Sequence, residues 1–232
     1  NIRVNKLANY LKVEHNIQKG DFVSILLPRG NWAIISILAI AKCGGVYVPV
    51  DVNYPKDRID YIKNDSNSKL LLDDQLLSVF LARYIEISGD FKPCNLLPED
   101  SLYVIYTSGT TGKPKGTIIS HLNVVRLFFN ENNLFTFNEN ETWLLFHSYC
   151  FDFSVWEMFG ALLYGGKLII PSYEVTRDVE LFHDLIDNSL VTILNQTPSA
   201  FYLLDEYLKE KKSVQNFWLI LYIYIFIYIY IY

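Results

Sequence analysis

The chain has 232 residues, enough to bury one large core or two modest ones, with 51% hydrophobic and 19% charged residues. A net charge of −5 gives no reason to expect nucleic acid or an anionic membrane surface as a partner. Cys43, Cys94 and Cys150 stand far apart, without CxxC or His-Cys spacing, which argues against a disulfide framework or a zinc site and for a reducing, cytoplasmic compartment.

From the start, apolar periodicity alternates between helix and strand. "VNKLANYLKVEHN" sets Val4, Leu7, Ala8 and Leu11 on one helical face. "DFVSILL" is a short buried strand closed by Pro28. "NWAIISILAIAKCGG" is a nearly all-apolar helix with Asn31 as its N-cap candidate and glycines at its end. "VYVPVD" is a strand, "YPKDRIDYIKNDS" a helix with Pro55 in its first turn, and "SKLLLDD" a third strand. This rhythm predicts an α/β fold with a largely parallel sheet covered by helices.

Residues 73–98 read as an irregular bridge, so a first subunit of about 1–98 and a second of about 99–221 are expected. The second opens on strand "SLYVIYT" and a glycine-rich loop. Helix 121–130, strand "TWLLF", helix 155–163 and strand "KLIIP" follow, then helix 179–187, strand "VTIL", helix 197–209 and strand 217–221.

The loop "YTSGTTGKPKG" joins Gly109, Gly112 and Gly116, suited to positive-φ turns and close backbone approach, with the hydroxyls of Thr107, Ser108, Thr110 and Thr111. With Lys113 and Lys115, such a loop suits a multiply charged anion, and a phosphate chain is the natural guest. It is not a Walker loop: GxxxxGK[ST] needs a longer gap and a hydroxyl after the lysine, where Pro114 stands.

"YTSGTTGKPKG" followed by "HLNVV" closely resembles the phosphate-binding signature of the adenylate-forming (AMP-binding) superfamily. "LAIAKCGGVYVPVDVNYPKDRIDYIKNDS" and "FHSYCFDFSVWEMFGALLYGGKLIIPS" resemble successive blocks of the amino-acid-activating adenylation domains of nonribosomal peptide synthetases, and "VTILNQTPSAFYLL" their next block. The resemblance runs from Val4 to about Leu221. It implies the layered helix-sheet-helix subdomains of that family's N-terminal region, incomplete here. It also implies ATP-dependent activation of an amino acid, release of pyrophosphate and transfer to a phosphopantetheine thiol.

On this resemblance Thr107, Ser108, Gly109, Thr110, Thr111, Gly112 and Lys115 hold the ATP phosphates. Asp152 matches the aspartate that pairs with the substrate's α-amino group, against a local alternative as the N-cap of the helix behind it. Phe153, Trp156 and Asn195 match further pocket positions, a set that looks like that of threonine-activating domains. His147 is a candidate pocket wall, His121 either structural or near the nucleotide, Glu157 a simple polar helix position or, one turn past Phe153, a residue that orients the pocket, and Trp143 a core residue. The family's contacts to adenine, ribose and Mg²⁺, its hinge and its C-terminal lysine have no counterparts among these residues, so no catalytic side chain or metal ligand is assigned. Implied partners are an amino acid and the peptidyl carrier and condensation domains of a larger synthetase, with no nucleic acid and no membrane.

"YIYIFIYIYIY", residues 222–232, is low-complexity sequence of the kind an AT dinucleotide repeat would encode, with a genuine strand or a membrane tail as the alternatives. With the missing initiating Met and leader, it suggests a C-terminally truncated piece of a larger protein, inactive alone. The competing readings are a piece of an acyl- or aryl-CoA ligase, which Asp152 disfavours, and a non-catalytic truncated gene product.

Overall fold

The computed structural model describes residues 1–108, 113–131, 135–211 and, for the backbone, 218–220. The low-complexity tail lies outside the described residues. The chain divides into two compact units, residues 1–122 and 123–232.

In the first unit, helix α1 (Ile2–Glu14) buries the predicted face of Val4, Leu7, Ala8 and Leu11, with Tyr10 beside it. Strand β1 (Phe22–Leu26) leads to helix α2 (Asn31–Cys43). Asn31 is the first residue of α2 and not its cap: Gly30 takes the cap position, in extended conformation, and no side chain bonds the helix start. Gly44, at φ 81°, ends α2 in the left-handed region that favours glycine. Strand β2 (Val46–Pro49) is buried throughout. Helix α3 (Lys56–Asp65) has Pro55 at its cap position, and strand β3 (Leu70–Asp73) follows.

Residues 73–98, expected to be irregular, begin with helix α4 (Asp74–Ala82). Asp73 caps it, accepting the Leu76 N–H at 2.9 Å. Strand β4 (Ser101–Thr107) then pairs parallel with β2 through Tyr47 and Tyr103, and β5 (Lys115–Ser120) pairs antiparallel with β4. The sheet order is β3-β1-β2-β4-β5. The strand expected to open the second subunit at about residue 99 therefore completes the first sheet. Its partner β2 lies far back in sequence, and the division falls after Leu122.

Helix α5 (His121–Phe128) crosses that division. The second unit continues through β6 (Thr142–Leu144), α6 (Phe153–Tyr164), β7 (Lys167–Ile169), α7 (Val179–Ser189), β8 (Ile193–Asn195), α8 (Pro198–Lys211) and β9 (Trp218–Ile220). Its sheet is parallel in the order β7-β6-β8-β9. Trp143 on β6 is fully buried, as a core residue should be, with Phe137 at 4.6 Å and Trp156 at 5.9 Å between ring centroids. Gly160 of α6 lies directly under its indole, where any Cβ would collide with the ring.

Cys43 and Cys150 are buried, and burial pushes the Cys43 thiol up to about 12, far from reactive thiolate. Among the described residues no helix is long and apolar enough to cross a membrane.

Candidate functional site

The glycine-rich segment is the connection of a hairpin. β4 and β5 run antiparallel up to the pair Thr107–Lys115, so residues 108–114 join their ends. Gly109, Thr110, Thr111 and Gly112 lie outside the described residues. Thr107, Ser108 and Lys115, together with Lys113, are exposed at the hairpin tip.

The stem of that hairpin is fastened to α3. The Tyr106 hydroxyl donates to Asp65 Oδ2 at 2.7 Å. The Tyr61 hydroxyl stands 3.2 Å from the Pro114 carbonyl and 3.4 Å from Asp65 Oδ1. Burial, followed by the Asp65 carboxylate, raises the Tyr106 phenol. Gly116 makes this arrangement possible through its missing side chain: a Cβ there would stand 2.9 Å from Tyr106 Cζ and 3.0 Å from Val104 Cγ1. Its φ is not positive, so close approach and not turn geometry accounts for this glycine. His121 opens α5 with its backbone N–H donated to Asp100 at 3.0 Å, and burial lowers its imidazole pKa against the pull of Asp100.

In the second unit the remaining candidates gather at the carboxyl end of a parallel sheet, where open α/β folds bind ligands. β6 runs into residues 145–152 and the first turn of α6, which carries Phe153 and Trp156. β8 is the neighbour of β6 and ends on Asn195.

Asp152 directly precedes α6, yet its side chain makes no capping bond to the helix and its backbone is helical, at φ −57° and ψ −35°. This is not N-cap geometry, although the first N–H of the helix, that of Phe153, does reach the carboxyl. Burial raises its carboxyl, opposed by the backbone N–H groups of Phe153 and of Asp152 itself and by the charge of His147. A carboxylate so placed gains from an incoming cation.

Phe153 and Trp156 are each 4% exposed, and Trp156 stacks on Phe128 at 4.9 Å and 15°. Asn195 is completely buried, and neither its Nδ2 nor its Oδ1 has a hydrogen-bond partner among the described residues. The Trp156 Nε1 is likewise buried without one. Buried amides are nearly always paired, so an orphaned donor and acceptor on one side chain mark a place for a polar guest.

Glu157 is not a simple polar helix position. It is 0% exposed and holds one partner with both oxygens: the His147 backbone N–H donates to Oε2 at 3.0 Å, and His147 Nδ1 lies 2.9 Å from Oε1. The imidazole in turn packs on Phe153 at 4.7 Å and stacks with Phe151 at 5.7 Å. Polarity inside the all-apolar run "SVWEMF" was the available signal for this residue. Among the described residues no three acidic, imidazole or thiol side chains gather to hold a metal ion.

The sequence profile of the AMP-binding enzyme family matches residues 1–219. A plipastatin synthase protein of Bacillus subtilis (strain 168) is 45% identical over 206 residues, covering 84% of this chain and 8% of that protein. Tyrocidine synthase 1 of Brevibacillus parabrevis is 38% identical over 214 residues, covering 86% of this chain and 20% of that protein. The solved nonribosomal peptide synthetase FmoA3 shares the fold, with a TM-score of 0.80 at 23% identity over 93% of this chain and 24% of its own. The N-terminal subdomain of Klebsiella oxytoca NpsA, in complex with 3-hydroxyanthranilyl-AMSN, superposes with a TM-score of 0.77 at 25% identity. That alignment covers 92% of this chain and 56% of the NpsA subdomain. The chain thus spans a fifth or less of these two synthases.

Proposed function

This chain belongs to the AMP-binding enzyme family, and on that premise we propose that it supplies phosphate-binding and amino-acid-binding residues to an amino-acid-activating ligase of the nonribosomal peptide synthetase kind. In this reading the substrate carboxylate attacks the α-phosphorus of ATP. The new P–O bond gives an aminoacyl-adenylate as the bond to the bridging oxygen breaks, and pyrophosphate leaves. Thr107 to Gly112 and Lys115 stabilise charge on that leaving group, the kind of electrostatic contribution expected to dominate such chemistry. Mg²⁺ would accompany the nucleotide; the described residues form no site for it, and no step is derived through the ion.

The observation that carries the reading is the half-buried carboxylate of Asp152 and the orphaned amide of Asn195, both at the carboxyl end of the second unit's parallel sheet. A carboxylate entering a dry pocket favours an ammonium partner, which an amino acid has and a simple acyl or aryl acid lacks. This is why the CoA-ligase reading is disfavoured. Asn195 offers a donor and an acceptor, and a hydroxyl can answer both, which supports threonine as the substrate.

The activated acyl group would pass to the phosphopantetheine thiol of a carrier domain within a larger cytoplasmic assembly that also includes condensation domains. We expect the 232-residue chain alone to show little activity, since it matches little more than half of even an N-terminal subdomain. The test is amino-acid-dependent ATP–pyrophosphate exchange by a complete protein carrying this chain. Exchange strongest with threonine, and weakened by Lys115→Ala, supports the reading. A preference for large apolar amino acids would overturn the substrate, and exchange untouched by Lys115→Ala would remove that lysine from the phosphate site.

A further inference from the structure

Glu157 is a completely buried carboxylate in the middle of α6, and among the described residues no lysine or arginine bonds it. Its two oxygens are spent on one residue, the His147 backbone N–H at 3.0 Å and the His147 ring at 2.9 Å. An ionised carboxylate can only accept, so with Glu157 charged the proton of this pair sits on Nδ1, whatever the state of Nε2. The ring so held lies 4.7 Å from Phe153, the residue next to Asp152, the carboxylate proposed for the substrate ammonium.

Resting on the amino-acid-activation reading, we propose that Glu157 is a positioning residue of the amino-acid pocket, holding His147 with Nδ1–H donated to Oε1 so that the imidazole wall stays fixed against Phe153 beside Asp152. Glu157 itself is enclosed and reaches substrate only through His147. A purely space-filling role would need neither the acceptor pair nor a defined ring tautomer.

Glu157→Gln separates the two roles because it keeps the volume and changes the proton logic. If the amide oxygen still accepts the His147 backbone N–H, the amide NH₂ faces Nδ1, which must then give up its proton. Nitrogen-15 NMR of histidine-labelled protein reads this directly, with His147→Gln identifying the signal among the four histidines. The expected result is a protonated Nδ1 at His147 in the wild-type chain and a proton moved to Nε2 in Glu157→Gln. A wild-type ring bare at Nδ1, or a ring unchanged by the substitution, overturns the proposal and needs no activity to do so.

In the complete synthetase, Glu157→Gln should raise the KM for the amino acid by about tenfold, as expected for a lost charged hydrogen bond, with the KM for ATP nearly unchanged. Equal rises in both, or none, refute the positioning role. If the tautomer moves as expected but the wild-type synthetase activates no amino acid, the proposed function falls and the Glu157–His147 assignment stands alone.

Discussion

Gly160→Ala sets two known effects of opposite sign against each other. On an exposed helix the change would stabilise, because alanine is better than glycine in a helix interior by about 1 kcal/mol. Here the new Cβ would lie 2.5 Å from Trp143 Cζ3 and 2.8 Å from Cζ2. Ordinary carbon contacts are about 3.5–4.0 Å, so the ring or the helix must move by about an ångström. Trp143 cannot yield cheaply: it is fully buried, with Phe137 and Trp156 against it at 4.6 and 5.9 Å. Overpacking of a tight core costs about 1–3 kcal/mol, and a site this closed belongs at the upper end. Subtracting the helix gain leaves a net loss of about 1–2 kcal/mol. For a chain of this size each kcal/mol lowers the Tm by about 2–4 °C, which circular dichroism or calorimetry resolves. Trp143→Phe combined with Gly160→Ala should recover part of the loss by making room for the methyl group. A Tm equal to or above wild type in Gly160→Ala would refute the reasoning, and so would a double variant whose losses simply add.

Asp152→Asn should be more stable than wild type at neutral pH, because a carboxyl raised by folding contributes stability below its usual 3.8 and loses it as pH rises through the folded value. That advantage should shrink on acidification toward 3.8, and denaturant unfolding at several pH values checks it. Tyr106→Phe keeps the ring on Gly116 but leaves Asp65 without its 2.7 Å donor, and should cost about 1 kcal/mol in the same unfolding assay. Asn195→Leu removes an amide that has no partner among the described residues, so the Tm should hold or rise while selectivity among amino-acid side chains in pyrophosphate exchange collapses.

Much of the fold was legible because its strands and helices are locally patterned. Apolar runs such as Val46–Pro49 and the α1 face of Val4, Leu7, Ala8 and Leu11 announce themselves by period alone. Strand β5 did not: it is an edge strand in which Ile119 is buried while Ile118 is 57% exposed, and it follows a glycine loop that reads as continuing. Helix α4 was hidden by its short length, although Asp73 and the buried pair Leu77 and Phe80 were its signature. Where the first unit ends was not legible, since it depends on β4 choosing β2 as a neighbour across a long connection.

At the site, the family resemblance pointed to Asp152 and Asn195, but not to what each touches. The absence of N-cap geometry at Asp152, the isolation of the Asn195 amide and the hold of Glu157 on His147 are tertiary facts. No spacing rule carries them, because His147 sits in an irregular segment whose path is set by packing.

The proposed function turns on Asp152 as the partner of a substrate ammonium. The direct measurement is ATP–pyrophosphate exchange by a complete synthetase carrying this chain, wild type against Asp152→Ala, with threonine and with its analogue lacking the α-amino group. The prediction is robust exchange for the wild type with threonine, little with the analogue, and loss of the threonine activity in the variant. Equal exchange with both acids, or an Asp152→Ala variant as active as wild type, would contradict it.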